Sequence, residues 1–198
     1  MIKNIILDIG GVLFDDSDKN LSKILNKSEK NIKEISKIAF GGNFKKCLLG
    51  EYTVLNYMKD IENMDLDNNM KNDILYVLNP KFYNVTFPRK QEIFDYIDKI
   101  KKEGYKVYLL SNITKVAFEY INENIKLDDF VDGGIYSFVE NKRKPDKEIY
   151  ELLINRYNLK KEECLFFDDK KINVDSANEI GIKSYIFNSI DDIKCRVI

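Results

Sequence analysis

Four short stretches carry residue types from which a reaction could be assembled. Asp8 follows the apolar run Ile5-Ile6-Leu7 and precedes Gly10-Gly11, while Ser111-Asn112 follows an apolar run ending at Leu110. Lys144-Pro145-Asp146 opens a helical pattern, and Asp168-Asp169 follows the apolar stretch from Cys164 to Phe167. A carboxylate at a strand end can attack an electrophile or bind a hard cation, and the glycines beyond it let the backbone turn sharply and approach a ligand. The chain contains no histidine, so the commonest general base is missing and Ser-His or Cys-His nucleophile pairs are excluded. Acid–base work falls to carboxylates, lysine, tyrosine or water. Each stretch also has an ordinary structural use: Asp8 can cap a turn, Ser111-Asn112 can form one, Lys144 can be a solvated lysine among basic neighbours, and Asp168-Asp169 can cap a helix.

The four stretches can act together only if the fold brings them to one place. Ile5 to Leu7 reads as a buried strand, and the pattern then turns helical for about seventy residues. Leu21, Ile24 and Leu25 follow a capping Ser17; Ile32, Ile35 and Ile38 follow Ser28; Leu55, Met58 and Ile61 follow Thr53; Met70, Ile74 and Leu75 follow Asp67. From Pro88 onward, helices and strands alternate. A helix through Ile93 and Ile100 closes at Gly104 and leads to a strand from Tyr105 to Leu110. Further strands are expected at Gly134 to Ser137, Cys164 to Phe167 and Lys183 to Phe187, with helices between them. This alternation predicts an α/β fold, a Rossmann-like parallel sheet flanked by helices with right-handed crossovers. The helical run predicts a small all-helical cap domain at 16–85, inserted into a core domain made of 1–15 and 86–198. In a parallel sheet the strand ends converge on one edge, where ligands bind.

Composition narrows the partners. The 32 basic and 33 acidic residues nearly cancel, and the pairs Lys45-Lys46, Lys101-Lys102 and Lys160-Lys161 are short and interleaved with acids. Neither a nucleic-acid nor a membrane partner is expected. The N-terminus enters a strand without a basic and apolar leader, and no run of about 18 apolar residues occurs, so a cytoplasmic location is expected. Cys47, Cys164 and Cys195 are too scattered for a disulfide framework or a zinc site. Nothing indicates an oligomeric state.

In order and spacing, the four stretches resemble the motifs of the haloacid dehalogenase (HAD) superfamily of hydrolases, in its phosphatase branch with a helical cap after the first strand. Asp8-Ile9-Gly10-Gly11-Val12-Leu13 resembles the first motif, Leu109-Leu110-Ser111-Asn112 the second, Lys144-Pro145-Asp146 the third, and Phe167-Asp168-Asp169 with Asn173 and Ala177 the fourth. Leu49-Gly50-Glu51-Tyr52-Thr53 resembles a segment of the cap. The resemblance spans nearly the whole chain. It implies a phosphatase for a small phosphorylated metabolite, with sugar phosphates among the candidates. Asp8 would be the nucleophile, forming an aspartyl phosphate. Mg²⁺ would be held by the Asp8 carboxylate, the Gly10 carbonyl and Asp169, with Asp168 in a supporting or additional metal role and Asn173 behind it. Ser111 and Lys144 would join Asp8 in catalysis, and the phosphate would be bound by Gly10, Gly11, Ser111, Asn112 and Lys144, with Asn112 also orienting its neighbours.

One position departs from the family pattern. Typical members place a second Asp two residues after the nucleophile to protonate the leaving oxygen, and here that residue is Gly10. Loss of a general acid typically costs about 10²- to 10⁴-fold, most for alkoxide leaving groups and least for acyl, aryl or anomeric phosphates. The chain is also similar to the superfamily's bacterial alpha-D-glucose-1-phosphate phosphatases, which likewise lack that Asp. Asp15, just past the glycine turn, or a bound water is the expected proton source, with a hinge or capping role as the alternative for Asp15. Two other readings stay open: a catalytically impaired HAD-like binding or regulatory protein, and a haloacid dehalogenase, which needs no metal and has no use for the Asp168-Asp169 pair. The cap offers Lys45, Lys46, Tyr52 and Tyr57 as groups that could face the substrate.

Overall fold

The computed structural model describes residues 1–197. Strands β1 (Asn4–Leu7), β2 (Lys106–Ser111), β3 (Gly133–Tyr136), β4 (Cys164–Asp168) and β5 (Lys183–Ile186) form one sheet in the order β3-β2-β1-β4-β5, with every neighbouring pair parallel. This is the predicted Rossmann-like sheet. β1 lies at its centre and all four of its residues are buried, as expected of a strand covered on both faces. Alternate side chains serve opposite faces. Ile5, Leu7, Val107, Leu109 and Phe167 pack with Ile93, Phe94 and Ile97 of the helix Gln91–Lys102 on one side. Ile6, Tyr108, Leu110 and Phe166 pack with Ile149, Tyr150 and Leu153 of the helix Lys147–Arg156 on the other.

Register sets the position of the chemistry. Leu7 is opposite both Leu109 and Phe167, so the three central strands end nearly level. Chain order reverses around β1, with β2 on one side and β4 on the other, which is where open parallel sheets form a ligand crevice.

Between β1 and Gln91 the chain forms helices Asp18–Leu25, Glu29–Ala39, Phe44–Leu48, Val54–Asn63, Asn68–Leu78 and Tyr83–Thr86. Ser17, Ser28, Thr53 and Asp67 accept backbone N–H bonds at four of their starts, as their residue types predict. These helices bury a cluster of their own, including Leu21, Ile32, Ile35, Tyr57, Ile61 and Val77. Where the chain leaves and re-enters the sheet layer, the two crossings pair: the Asp15 N–H donates to Pro88 O at 2.9 Å, the Lys90 N–H to Leu13 O at 2.9 Å, and Phe14 bridges antiparallel to Arg89. Two further contacts tie the helical block to the sheet layer. Ser137 Oγ donates to Leu48 O at 2.5 Å, and the Tyr83 and Tyr120 rings meet edge to face at 5.5 Å.

The helices Tyr83–Thr86, Ser137–Glu140 and Ile190–Lys194 are too short to show a helical period, and the sequence reading missed all three. Among the described residues the three cysteines are free, with Cys47 and Cys164 buried, and no helix is long and apolar enough to cross a membrane.

Gly50 is a point of close approach between the block and the sheet layer. Its φ is +74° and a Cβ there would strike the Phe138 carbonyl, whereas Gly104, at φ +98°, faces open space. Both positions strain an alanine, but only Gly50→Ala also collides. In urea unfolding, Gly50→Ala is expected to cost at least about 1 kcal/mol more than Gly104→Ala; equal costs would show that this contact contributes nothing.

Candidate active site

The strand ends assemble one polar cluster. Asp8, one residue beyond β1, donates its N–H to Phe167 O at 3.0 Å, and its Oδ1 accepts the Ile9 N–H at 2.7 Å. Lys144 reaches in from the loop before the helix Lys147–Arg156. Its Nζ lies 2.9 Å from Asp8 Oδ2 and 2.6 Å from Asp168 Oδ2, and it donates to Leu110 O at 2.6 Å. The lysine side chain is fully buried, so its three N–H donors serve two carboxylates and one strand-end carbonyl. Such a charge is tolerable in a protein interior only when paired and hydrogen-bonded in this way. Ser111, at the end of β2, is also buried.

Asp168 is fully engaged. Oδ1 accepts from the Lys170 N–H at 2.8 Å and Asn173 Nδ2 at 2.9 Å, while Oδ2 accepts from Lys144 and from Asn173 at 3.0 Å. These four contacts use the lone-pair directions of a carboxylate, and they hold Asp168 below its ordinary pKa against the opposing effect of burial. Asp168 thereby anchors Lys144, the supporting side of its expected role. Asn173 stands behind it as expected, with Tyr150 Oη donating to its carbonyl at 2.9 Å.

Asp169 contrasts with its neighbour. Its Oδ1 is buried and makes no hydrogen bond among the described residues, and burial, reinforced by Asp168, raises its pKa. One carboxylate oxygen from each of Asp8, Asp168 and Asp169 lies within 4.8 Å of the others. Gly11 makes this approach possible: its φ is +73°, and a Cβ there would come within 2.5 Å of Asp169 Cγ. An orphaned buried oxygen facing a second carboxylate is a donor set that suits a hard divalent cation.

Asn112 orients its neighbour. Its Nδ2 donates to Lys144 O and its Oδ1 accepts the Lys144 N–H, both at 2.8 Å. Through these two bonds it holds the Lys144 backbone. Asp15 shows the capping contact of its alternative reading, its Oδ1 accepting the Ser17 N–H at 3.0 Å. The next residue, Asp16, is the one beside Gly10. Burial, with Asp169 assisting, raises the Asp16 carboxyl to about 6.

Lys90 and Lys170 were not singled out from sequence. Lys90 Nζ donates to Gly11 O at 2.5 Å and holds the glycine turn. Lys170 lies in the field of Asp8, Asp169, Asp16 and Asp168, which raises its pKa although burial acts the other way. Its position directly after the Asp pair was the available signal. Of the four cap candidates, Lys45 and Lys46 are exposed, while Tyr57 Oη donates to Ile38 O inside the helical block and Tyr52 Oη donates to Asp60.

A family model for haloacid dehalogenase-like hydrolases matches residues 2–181. The chain belongs to this family. Among HAD-like proteins it is 28% identical over 194 residues to the D-ribitol-5-phosphate phosphatase of Bacteroides thetaiotaomicron, covering 93% of this chain and 91% of that protein. A HAD family enzyme from the same organism, solved as a magnesium complex, superposes with a TM-score of 0.74 at 23% identity over 98% of both chains. Solved with magnesium and inorganic phosphate, that enzyme gives a TM-score of 0.69 at 24% identity over 94% of both chains. At these identities the superpositions establish a shared HAD fold.

Two stability predictions follow from the electrostatics. Burial pushes the Asp8 carboxyl from its ordinary 3.8 to about 7, with Asp168 adding to the rise and Lys144 opposing it. An acid with a raised pKa in the fold destabilises the folded state as pH climbs from 3.8 through 7, and costs nothing below 3.8. In EDTA, Asp8→Asn is therefore expected to raise the thermal midpoint at pH 8, by an amount worth a few kcal/mol at most, and the gain should shrink at pH 5. A gain that stays constant from pH 5 to 8 refutes the assignment. Lys144→Met strands two buried carboxylates and should cost about 3–5 kcal/mol in urea unfolding at pH 8, less at pH 5; a loss under about 1 kcal/mol would show that the ion pair stabilises nothing.

Proposed function

We propose that this HAD-like hydrolase is a Mg²⁺-dependent phosphatase that hydrolyses a small phosphorylated metabolite, of the polyol or sugar phosphate class, through an aspartyl phosphate on Asp8. One observation carries the reading. Asp8, paired to the buried Lys144, faces Asp169, whose buried oxygen has no partner. The similarity to a ribitol-phosphate phosphatase over nearly the whole chain supports it, and so does the magnesium and phosphate held by the HAD enzyme of like fold.

The residues divide the work as follows. Asp8 attacks phosphorus in line. Lys144 neutralises charge on Asp8 and on the transferring group, while the Ser111 hydroxyl and the backbone N–H groups at Gly10 and Gly11 donate to the phosphoryl oxygens where charge builds up. Asp168, Asn112 and Asn173 keep Lys144 in place. Mg²⁺ would be held by Asp8, the Gly10 carbonyl and Asp169, offsetting the repulsion between an anionic nucleophile and an anionic substrate. The helical block 16–85 would serve as a cap on the core 1–15 and 86–198, excluding water from the strand ends. Its separate hydrophobic cluster and the paired hinge crossings support that division.

A metal-free dehalogenase fits poorly, since Asp8 and Asp169 together would repel a haloacid carboxylate. A non-catalytic scaffold has no need of a buried Lys144 or of an orphaned carboxylate oxygen, both of which cost stability.

The test is phosphate release from acetyl phosphate, p-nitrophenyl phosphate, glucose 1-phosphate, glucose 6-phosphate and ribitol 5-phosphate, with Mg²⁺ or EDTA. Release that requires Mg²⁺ and falls to background in Asp8→Asn is expected for at least one ester. Chloride release from a 2-chloro acid without metal would instead favour the dehalogenase, and no turnover of any kind the scaffold.

A further inference from the structure

Asp16 is a carboxyl that the chemistry above leaves unused. The φ of Gly10 is not in the left-handed region, so the backbone itself does not require glycine there. What a side chain at position 10 would meet is Asp16: a Cβ built on Gly10 lies 2.8 Å from Asp16 Oδ2 and 3.6 Å from its Cγ. The volume beside Gly10 is taken by a carboxyl arriving from elsewhere in the chain.

We propose that Asp16 is the general acid and base of the reaction, its carboxyl standing where a side chain of residue 10 would lie. This rests on the phosphatase reading above. The other acid groups at the strand ends have other work: Asp8 is the nucleophile, the lone pairs of Asp168 are taken by Lys144, Asn173 and the Lys170 N–H, and Asp169 belongs to the carboxylate group proposed to hold the cation. No histidine exists to take the role. Asp15 has a different task. Its N–H is held by Pro88 O and its Oδ1 by the Ser17 N–H, which pins the hinge on both sides of the bond into Asp16.

The step balances without a further reactant. As Asp8 forms its bond to phosphorus, the bond from phosphorus to the leaving oxygen breaks. That oxygen keeps the electron pair, takes the Asp16 proton and departs as an alcohol. The Asp16 carboxylate then removes a proton from a water molecule whose oxygen attacks phosphorus. The bond to Asp8 breaks, its electron pair returns to the Asp8 carboxylate, and phosphate leaves with Asp16 protonated again.

The experiment compares wild type, Asp16→Asn, Asp15→Asn and the exchange variant Gly10→Asp/Asp16→Ala under single turnover, with enzyme in excess. Release of the leaving group is followed from p-nitrophenyl phosphate, which needs little protonation, and from glucose 6-phosphate, which needs much. Asp16→Asn should slow the alkyl ester by about 10²- to 10⁴-fold and the aryl ester by less than about tenfold, while calorimetric Mg²⁺ affinity stays within a few-fold of wild type. Asp15→Asn should leave the ratio of the two rates unchanged. The exchange variant should recover alkyl turnover, since removing the Asp16 side chain frees the volume that Asp at position 10 needs. Equal losses on both esters, no loss on the alkyl ester, or a collapse of Mg²⁺ affinity would each overturn the proposal, whether or not the exchange variant folds. A wild type inert towards every phosphate ester would instead sink the phosphatase reading itself.

Discussion

The structure is organised around one buried ammonium. Lys144 Nζ sits between Asp8 and Asp168 at 2.9 and 2.6 Å, and its third hydrogen goes to the carbonyl of Leu110. A lysine this deep is sustained only by contacts fixed in advance, because the energy lost on leaving water is returned only by good geometry. The surroundings supply that geometry from several elements. Asn112, just past β2, grips the Lys144 backbone on both its N–H and its C=O. Asn173 and the Lys170 N–H orient Asp168. Ser176 donates to Pro145 O at 2.5 Å and steadies the loop from below. The level ends of β1, β2 and β4 are what bring these pieces within reach of one cation.

Around this balanced centre the site gathers further carboxylates, Asp16 and Asp169, whose charge Lys170 offsets only in part. Asp168 is held ionised by its partners, while Asp8, Asp16 and Asp169 are all pushed towards protonation, chiefly by burial. Packing carboxylates this closely lowers the stability of the fold. Sites with such strain are where chemistry is done, and the stability given up is compensated elsewhere, here by the two apolar layers on the faces of the sheet. An oxygen-seeking cation and an anionic substrate together complete the charge pattern that the strand ends begin.

The hinge links the helical block to this centre. Pairing between residues 13–15 and 88–90 fixes where the chain leaves the sheet layer, and Lys90 reaches from the second crossing to the carbonyl of Gly11. The glycine turn, the hinge and Asp16 therefore form one connected unit.

Much of this was legible in the sequence, for reasons that differ by residue. The parallel sheet, the helical block, its four capping residues and the positions of Asp8, Ser111, Lys144, Asp168 and Asp169 follow from local rules: apolar runs make buried strands, helical periods need one buried face, and polar residues at strand ends share an edge. Three features were decided only in three dimensions. Asn112 and Asp168 carry the residue types of ligand-binding groups, and the fold directs their hydrogen bonds to Lys144 and its support. Tyr57 was a plausible substrate contact until its hydroxyl was seen bonded inside the helical block. On paper Asp15 was the candidate beside the glycine turn, and only the fold places the carboxyl of Asp16 next to Gly10. The sequence by itself determined which elements form and which groups line the sheet edge, because those depend on neighbours within a few residues. The tertiary structure alone decided which lone pairs remain free, because a hydrogen-bond partner distant in the chain becomes visible only once the strands are in register.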